Sequence, residues 1–141
     1  MEKMKVVLEP GAFMPERAHD TDAGADLKTP VAITLAPKMR GFINTKIHVQ
    51  LPEGTVGLIL DKSGLARKKG ITILGGVIDE GYSGPLGISI LNTNEKETVS
   101  FEVGDKVAQL VVVPVLYPEI KRVAAIDSGE RGMDGFGSTG R

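Results

Sequence analysis

A chain of 141 residues and 15.0 kDa has room for one domain. Its 41% hydrophobic and 25% charged residues exclude a low-complexity chain, and a net charge of −1 excludes a broad electrostatic grip on nucleic acid or an anionic membrane. With no cysteine and only His19 and His48 as histidines, disulfide scaffolds, thiolate sites, cysteine nucleophiles and three-histidine metal centres are excluded too.

The first residues, Met1 to Lys5, lack the apolar core of a signal peptide. The longest apolar run, Ala108 to Leu116, contains Gln109 and Pro114 and is too short to span a membrane. A cytoplasmic domain is expected. Glycine is the abnormal residue: 18 of them stand in the chain, nearly twice the usual share of about 7%. Valine and isoleucine together supply 25 residues, which favours strands over helices.

In chain order, the first alternating segment is Val31, Ile33 and Leu35. A longer one follows, with Ile43, Thr45, Ile47, Val49 and Leu51 on one face and Asn44, Lys46, His48 and Gln50 on the other. This period of two predicts a strand with one face buried and one wet. Pro52-Glu53-Gly54 marks a turn, after which Val56, Leu58 and Leu60 form the apolar face of another strand. Ser63 to Lys69 predicts the one short helix, stopped by Gly70, with Ser63 as a possible N-cap. Leu86, Ile88 and Ile90 alternate again, and Asn92-Thr93-Asn94 and Gly104-Asp105 mark later turns. Many short strands with one helix predict an antiparallel sandwich or barrel. Residues 1–127 read as a barrel domain. Residues 128–141 are polar and glycine-rich and read as a flexible C-terminal arm.

Several residues stand out against this background. Asp79 lies between Val77-Ile78 and Glu80-Gly81, where it predicts the close of a tight hairpin. It could serve there as a turn former or as a general base. Gly75 and Gly76 in the same hairpin could supply positive φ, or let backbone groups approach a flat base edge. Ser63 and Gly64 open the helix, where free N–H groups suit an anion as well as a cap. Gln109 stands alone among apolar neighbours and needs hydrogen-bond partners, either a ligand or an internal network. The arm sets Arg131, Phe136, Ser138 and Thr139 among glycines, a composition suited to clamping a phosphate and stacking on a base. His19 and His48 read as surface residues.

Five segments taken together, A-G-A-D-L (Ala23 to Leu27), K-S-G-L-A (Lys62 to Ala66), G-V-I-D-E-G-Y-S-G (Gly76 to Gly84), G-D-K-V-A-Q-L (Gly104 to Leu110) and R-G-M-D-G-F-G-S-T-G (Arg131 to Gly140), resemble the five motifs of the trimeric dUTPase family. The resemblance covers nearly the whole chain. It implies a jelly-roll-like β-barrel and a homotrimer whose C-terminal arm closes over an inter-subunit active site. It implies Mg²⁺-dependent hydrolysis of dUTP to dUMP and pyrophosphate, which limits uracil in DNA and supplies dUMP for dTMP synthesis. Asp79 would orient the water that attacks the α-phosphorus. Gly76 and Gly87 would contact the base, Val77 and Ile78 would be substrate-binding, and Tyr82 would pack on the deoxyribose. Lys62, Ser63, Gly64 and Gln109 would contact phosphate, as would Arg131, Ser138 and Thr139 in the arm, with Gly137 substrate-binding and Phe136 stacking on the base. Asp26 would hold Mg²⁺ through water. No stable nucleic-acid or membrane binding is implied.

The chain departs from the family pattern at Lys62, where arginine is usual, and at Asp61, where proline often stands. Lysine keeps the charge but loses the bidentate fork. Two alternatives share the fold. A dCTP deaminase-like enzyme needs a catalytic glutamate two residues after Gly87, where this chain has Ser89. A nucleotide-binding regulatory module would not need Asp79 as a base.

Overall fold

The computed structural model describes residues 2–135 and 137. It is built from eleven strands and one helix. In chain order these are β1 (Lys5–Leu8), β2 (Gly24–Lys28), β3 (Ile33–Leu35), β4 (Arg40–Asn44), β5 (Ile47–Gln50), β6 (Thr55–Leu60), α1 (Ser63–Lys69), β7 (Ile71–Leu74), β8 (Val77–Ile78), β9 (Gly87–Asn92), β10 (Val99–Phe101) and β11 (Lys106–Pro114). All the pairings are antiparallel. The ladders form four sheets, ordered β1-β5, β3-β10, β2-β11-β6-β8 and β4-β9-β7, wrapped around one core. The all-β expectation holds, although the ladders do not join into one closed ring. Among the described residues no helix is long and apolar enough to cross a membrane.

The core comes from the alternation. Leu86, Ile88 and Ile90 are fully buried, as are Ile43, Ile47, Leu27 and Ile59. Each such side chain contributes roughly 1.5–3 kcal/mol on burial. The predicted strand from Ile43 to Leu51 has the expected inner face, because Ile43, Thr45, Ile47, Val49 and Leu51 are all buried. It is nevertheless two strands in two sheets. Lys46 adopts φ +61°, and this left-handed residue breaks the ladder between β4 and β5. Thr45 seals the break: its Oγ1 donates to the Leu86 carbonyl at 2.8 Å and accepts from the Ile47 N–H at 3.2 Å. The helix matches its predicted bounds, ending at Gly70 with φ +67°, a left-handed C-cap that glycine adopts without strain.

One face was read inside out. In β6 the buried residues are Gly57 and Ile59, while Val56 and Leu58 are half-buried and Leu60 is exposed. Val56, Leu58 and Leu60 therefore point outward. They pair across the ladders with Val113, Val111 and Gln109 of β11, and Leu58 also pairs with Val77 of β8. This sheet thus carries an apolar face on its outer side. Val31 likewise lies outside its strand and is exposed.

Candidate functional site

The first group of predicted residues surrounds the β7–β8 connection. β7 pairs with β9, whereas β8 pairs with β6. Gly75 and Gly76 therefore carry the chain from one sheet to another, and the expected hairpin is absent. Both glycines have positive φ, +68° and +104°. Gly76 has a second constraint, since a Cβ there would press on the Ile59 carbonyl oxygen. Its own carbonyl accepts the Ile59 N–H at 2.8 Å, which locks the crossover against β6.

After β8 the chain turns at Asp79, whose carbonyl accepts the Tyr82 N–H at 3.0 Å. The turn does not close a hairpin, because β8 and β9 lie in different sheets. The Asp79 side chain is exposed. Tyr82 donates its hydroxyl to the Pro85 carbonyl at 2.7 Å, which fixes a ring that is 43% exposed. Beyond it Leu86, Ile88 and Ile90 anchor β9 in the core, so Gly87 and Ser89 face outward. The result is a cleft of about 350 Å³ lined by Gly75 to Asp79, Tyr82, Pro85, Gly87 and Ser89, with Phe42 and Leu74 at its sides. Asp79 is its one carboxylate among the described residues.

The second group gathers where β6 ends, beside the middle of β2 and the first half of β11. Asp26 is buried, paired in register with Gln109, and its backbone N–H is held by the Glu16 carbonyl at 2.7 Å. One carboxylate oxygen accepts from Lys62 and the other lies 3.0 Å from the Lys106 ammonium. Burial pushes the Asp26 carboxyl up, but the hydrogen bonds and charges of Lys62 and Lys106 outweigh it, holding the group below its ordinary range. Gln109 donates to the Asp61 carbonyl at 2.7 Å, so its amide is part of an internal network. The Asp61 carboxylate accepts from Thr72 Oγ1 and the Ile73 N–H, each at 2.7 Å. Asp61 thereby ties the entry of α1 to β7, a role that sequence reading missed and that Thr72 two residues past Gly70 hardly signals. Lys106 was missed as well.

Lys62, not Ser63, is the N-cap residue of α1, and no side chain caps the helix. Ser63 and Gly64 are exposed, and nothing stands within 4 Å of where a Gly64 Cβ would lie. The cleft beside β8 includes none of Asp26, Lys62, Gln109 or Arg131 in its lining. Arg131 and Gly137 lie apart from both groups, around a separate hollow with Gly132, Asp134 and Gly135. The described residues from 116 onward are all exposed. Phe136, Ser138 and Thr139 lie outside the described residues.

His48 is more than a surface residue. Its ring bridges the Ser83 carbonyl and the Glu9 carboxylate, both at 2.8 Å. The Ser83 contact and then the Glu9 contact raise its pKa.

The donor set around Asp26 does not suit direct metal coordination. No cluster of three His, Asp or Glu side chains able to hold an ion occurs among the described residues. Both Asp26 oxygens already face ammonium groups, which would oppose a bare divalent cation. Its remaining lone pairs suit hydrogen bonds from the waters of a hydrated ion.

Comparison with known proteins bears on these groups. A family model described as dUTPase matches residues 11–140. The deoxyuridine 5'-triphosphate nucleotidohydrolase of Clostridium novyi is 45% identical over 131 residues, covering 92% of both chains. That of Tropheryma whipplei is 39% identical over 137 residues, covering 96% of this chain and 94% of the relative. The Staphylococcus bacteriophage 80alpha dUTPase, solved with dUPNHPP, superposes with a TM-score of 0.91 at 37% identity over the whole of both chains. A variant dUTPase of phage phi11 of S. aureus, whose structure concerns the coordination of a structural Mg(II) ion, gives a TM-score of 0.81 at 35% identity, over 88% of this chain and 98% of that one. With the family model spanning nearly every residue and full-length relatives well above 30% identity, the chain belongs to the dUTPase family.

Proposed function

We propose that this chain hydrolyses dUTP to dUMP and pyrophosphate, in sites shared between the copies of a homotrimer and in a cytoplasmic setting. The observation that carries the reading is the cleft beside β8, which offers backbone groups around Gly76 and Gly87 for a base and one carboxylate, Asp79, at its rim. A uracil edge presents acceptor, donor and acceptor in turn. Backbone groups arranged for that pattern would be left unpaired by cytosine, a mismatch that sites of this kind reject by roughly 10⁴–10⁵. Val77 and Ile78 flank the base, and Tyr82 packs on the deoxyribose where a ribose 2′-hydroxyl would clash.

Asp79 accepts a proton from water as that water attacks the α-phosphorus. The bond to the bridging oxygen breaks and pyrophosphate leaves. Lys62, Ser63, Gly64 and Gln109 receive the phosphates, and the arm residues Arg131, Phe136, Gly137, Ser138 and Thr139 close over the bound nucleotide. Asp26 would hold Mg²⁺ through the ion's bound waters. When bound there, the ion would neutralise part of the triphosphate charge.

The homotrimer draws support from the outward apolar face of Val56, Leu58, Val77, Val111 and Val113 beside the Asp26 cluster, which a single chain leaves half-buried, with Val77 exposed. Ser89 in the cleft, where a deaminase needs a carboxylate, favours hydrolysis over deamination. The test is a product assay on dUTP and the four standard deoxynucleoside triphosphates, with and without Mg²⁺. Pyrophosphate release from dUTP alone is expected, and deamination of dCTP or indifference to the base would overturn the reading.

A further inference from the structure

Phe42 belongs to none of the five motifs, and its position is unusual. It sits mid-strand in β4, in register with Ser89 of β9, yet its side chain is 65% exposed. A phenylalanine so placed loses the benefit of burial unless something covers it. Its ring lies across Gly87: a Cβ at Gly87 would come within 2.6 Å of two ring carbons. Glycine at 87 therefore creates the shelf on which the ring rests. From that shelf the ring lines the cleft beside β8, together with Gly76, Val77 and Tyr82, and also the adjoining hollow of Arg40, Leu74 and Gly75.

We infer that Phe42 is a base-contacting residue, an aromatic wall of the cleft that meets the pyrimidine and sets part of the affinity for it. This rests on the reading of the cleft as the uracil site. An aromatic face on a base is worth about 1–3 kcal/mol by alanine substitution, or about 5- to 150-fold in affinity. The contact reads the flat ring and leaves hydrogen-bond selection to the backbone at Gly76 and Gly87. The phosphate cluster at Asp26, Lys62 and Gln109 shares no lining residue with the cleft, so Phe42 should act on the base alone.

The experiment measures dUMP affinity by calorimetry and competitive inhibition by inorganic tripolyphosphate in the full-length wild type, Phe42→Ala and Phe42→Tyr. Removing the ring should weaken dUMP by about tenfold and raise KM for dUTP in proportion. Tripolyphosphate inhibition should stay as in the wild type, and Phe42→Tyr should restore dUMP binding. Equal dUMP affinity in wild type and Phe42→Ala would overturn the inference while leaving the uracil cleft standing. Parallel loss of dUMP and tripolyphosphate would also overturn it, showing a merely structural ring. A wild type that binds tripolyphosphate but no dUMP would overturn the cleft reading itself.

Discussion

The two groups of candidate site residues are built in opposite ways. The cleft beside β8 joins glycine backbone to apolar and aromatic side chains, held by crossover glycines and by β9 anchored in the core, with an exposed carboxylate at its rim. The cluster around Asp26 is made of charged side chains that already satisfy one another, two lysines on one buried carboxylate. A backbone site is preorganised by the fold and discriminates by shape and hydrogen-bond pattern. The charge cluster holds two ammonium groups in place on one carboxylate, and under the proposed function a polyanion would share them. Specificity and phosphate affinity should therefore respond separately to substitution.

The largest effect is expected at the cleft rim. Asp79→Asn should lower kcat by at least about 10², the usual scale for a general base, with dUMP affinity retained. Steady-state kinetics beside calorimetry decides this, and near-normal turnover would remove Asp79 from the proton transfer. Next comes Tyr82→Ala, which should narrow the dUTP-to-UTP ratio of kcat/KM by about tenfold, the scale of one packing contact in a specificity pocket. An unchanged ratio would place the ring elsewhere than on the sugar.

The charge cluster should show itself first in stability. Asp26→Ala leaves Lys62 and Lys106 facing each other without their shared counter-charge. Both lysines keep contact with water, so the loss should be about 1–3 kcal/mol in a denaturant titration, below the cost in a fully buried pair. Because the folded state holds the Asp26 pKa below its ordinary value, its contribution is complete above that ordinary value. It fades as pH falls through the lowered one. Wild type and Asp26→Ala should accordingly converge in stability only in strong acid.

The smallest effect is expected at His48, whose pKa is raised by Ser83 and Glu9. Its stabilisation is complete below the ordinary histidine value of about 6.5 and is lost as pH rises through the raised value. The Tm difference between wild type and His48→Gln should therefore close on going from mildly acidic to alkaline buffer. A difference that widens with pH would reverse the assignment.

The sequence showed some of this and hid the rest for physical reasons. The helix was legible because Gly70 terminates it by a local rule. The alternation from Ile43 to Leu51 revealed the buried face but not the break at Lys46, since a left-handed lysine has no signature that burial parity can detect. The outward face of β6 misled because it is as apolar as a core face, and periodicity alone does not say which side a sheet buries. Asp79, Gly76 and Tyr82 were found through their motif, and the structure gathers them in one cleft. Asp61 and Lys106 escaped because their partners Thr72 and Asp26 are remote in sequence. Phe42 escaped because nothing in β4 announces that its side chain rests on a glycine of β9.

Under the proposed function, cleft and cluster, separate on one chain, meet across copies of it. Subunit complementation tests this most directly, by co-expressing Asp79→Asn with the double variant Lys62→Ala/Gln109→Ala and assaying the mixed oligomer for dUTP turnover. Neither variant carries both intact groups. In a randomly mixed trimer about a quarter of inter-subunit sites would nevertheless combine a native Asp79 with a native Lys62 and Gln109, so activity near a quarter of wild type is predicted. Activity no higher than the mean of the two parents, in oligomers shown to contain both chains, would contradict it.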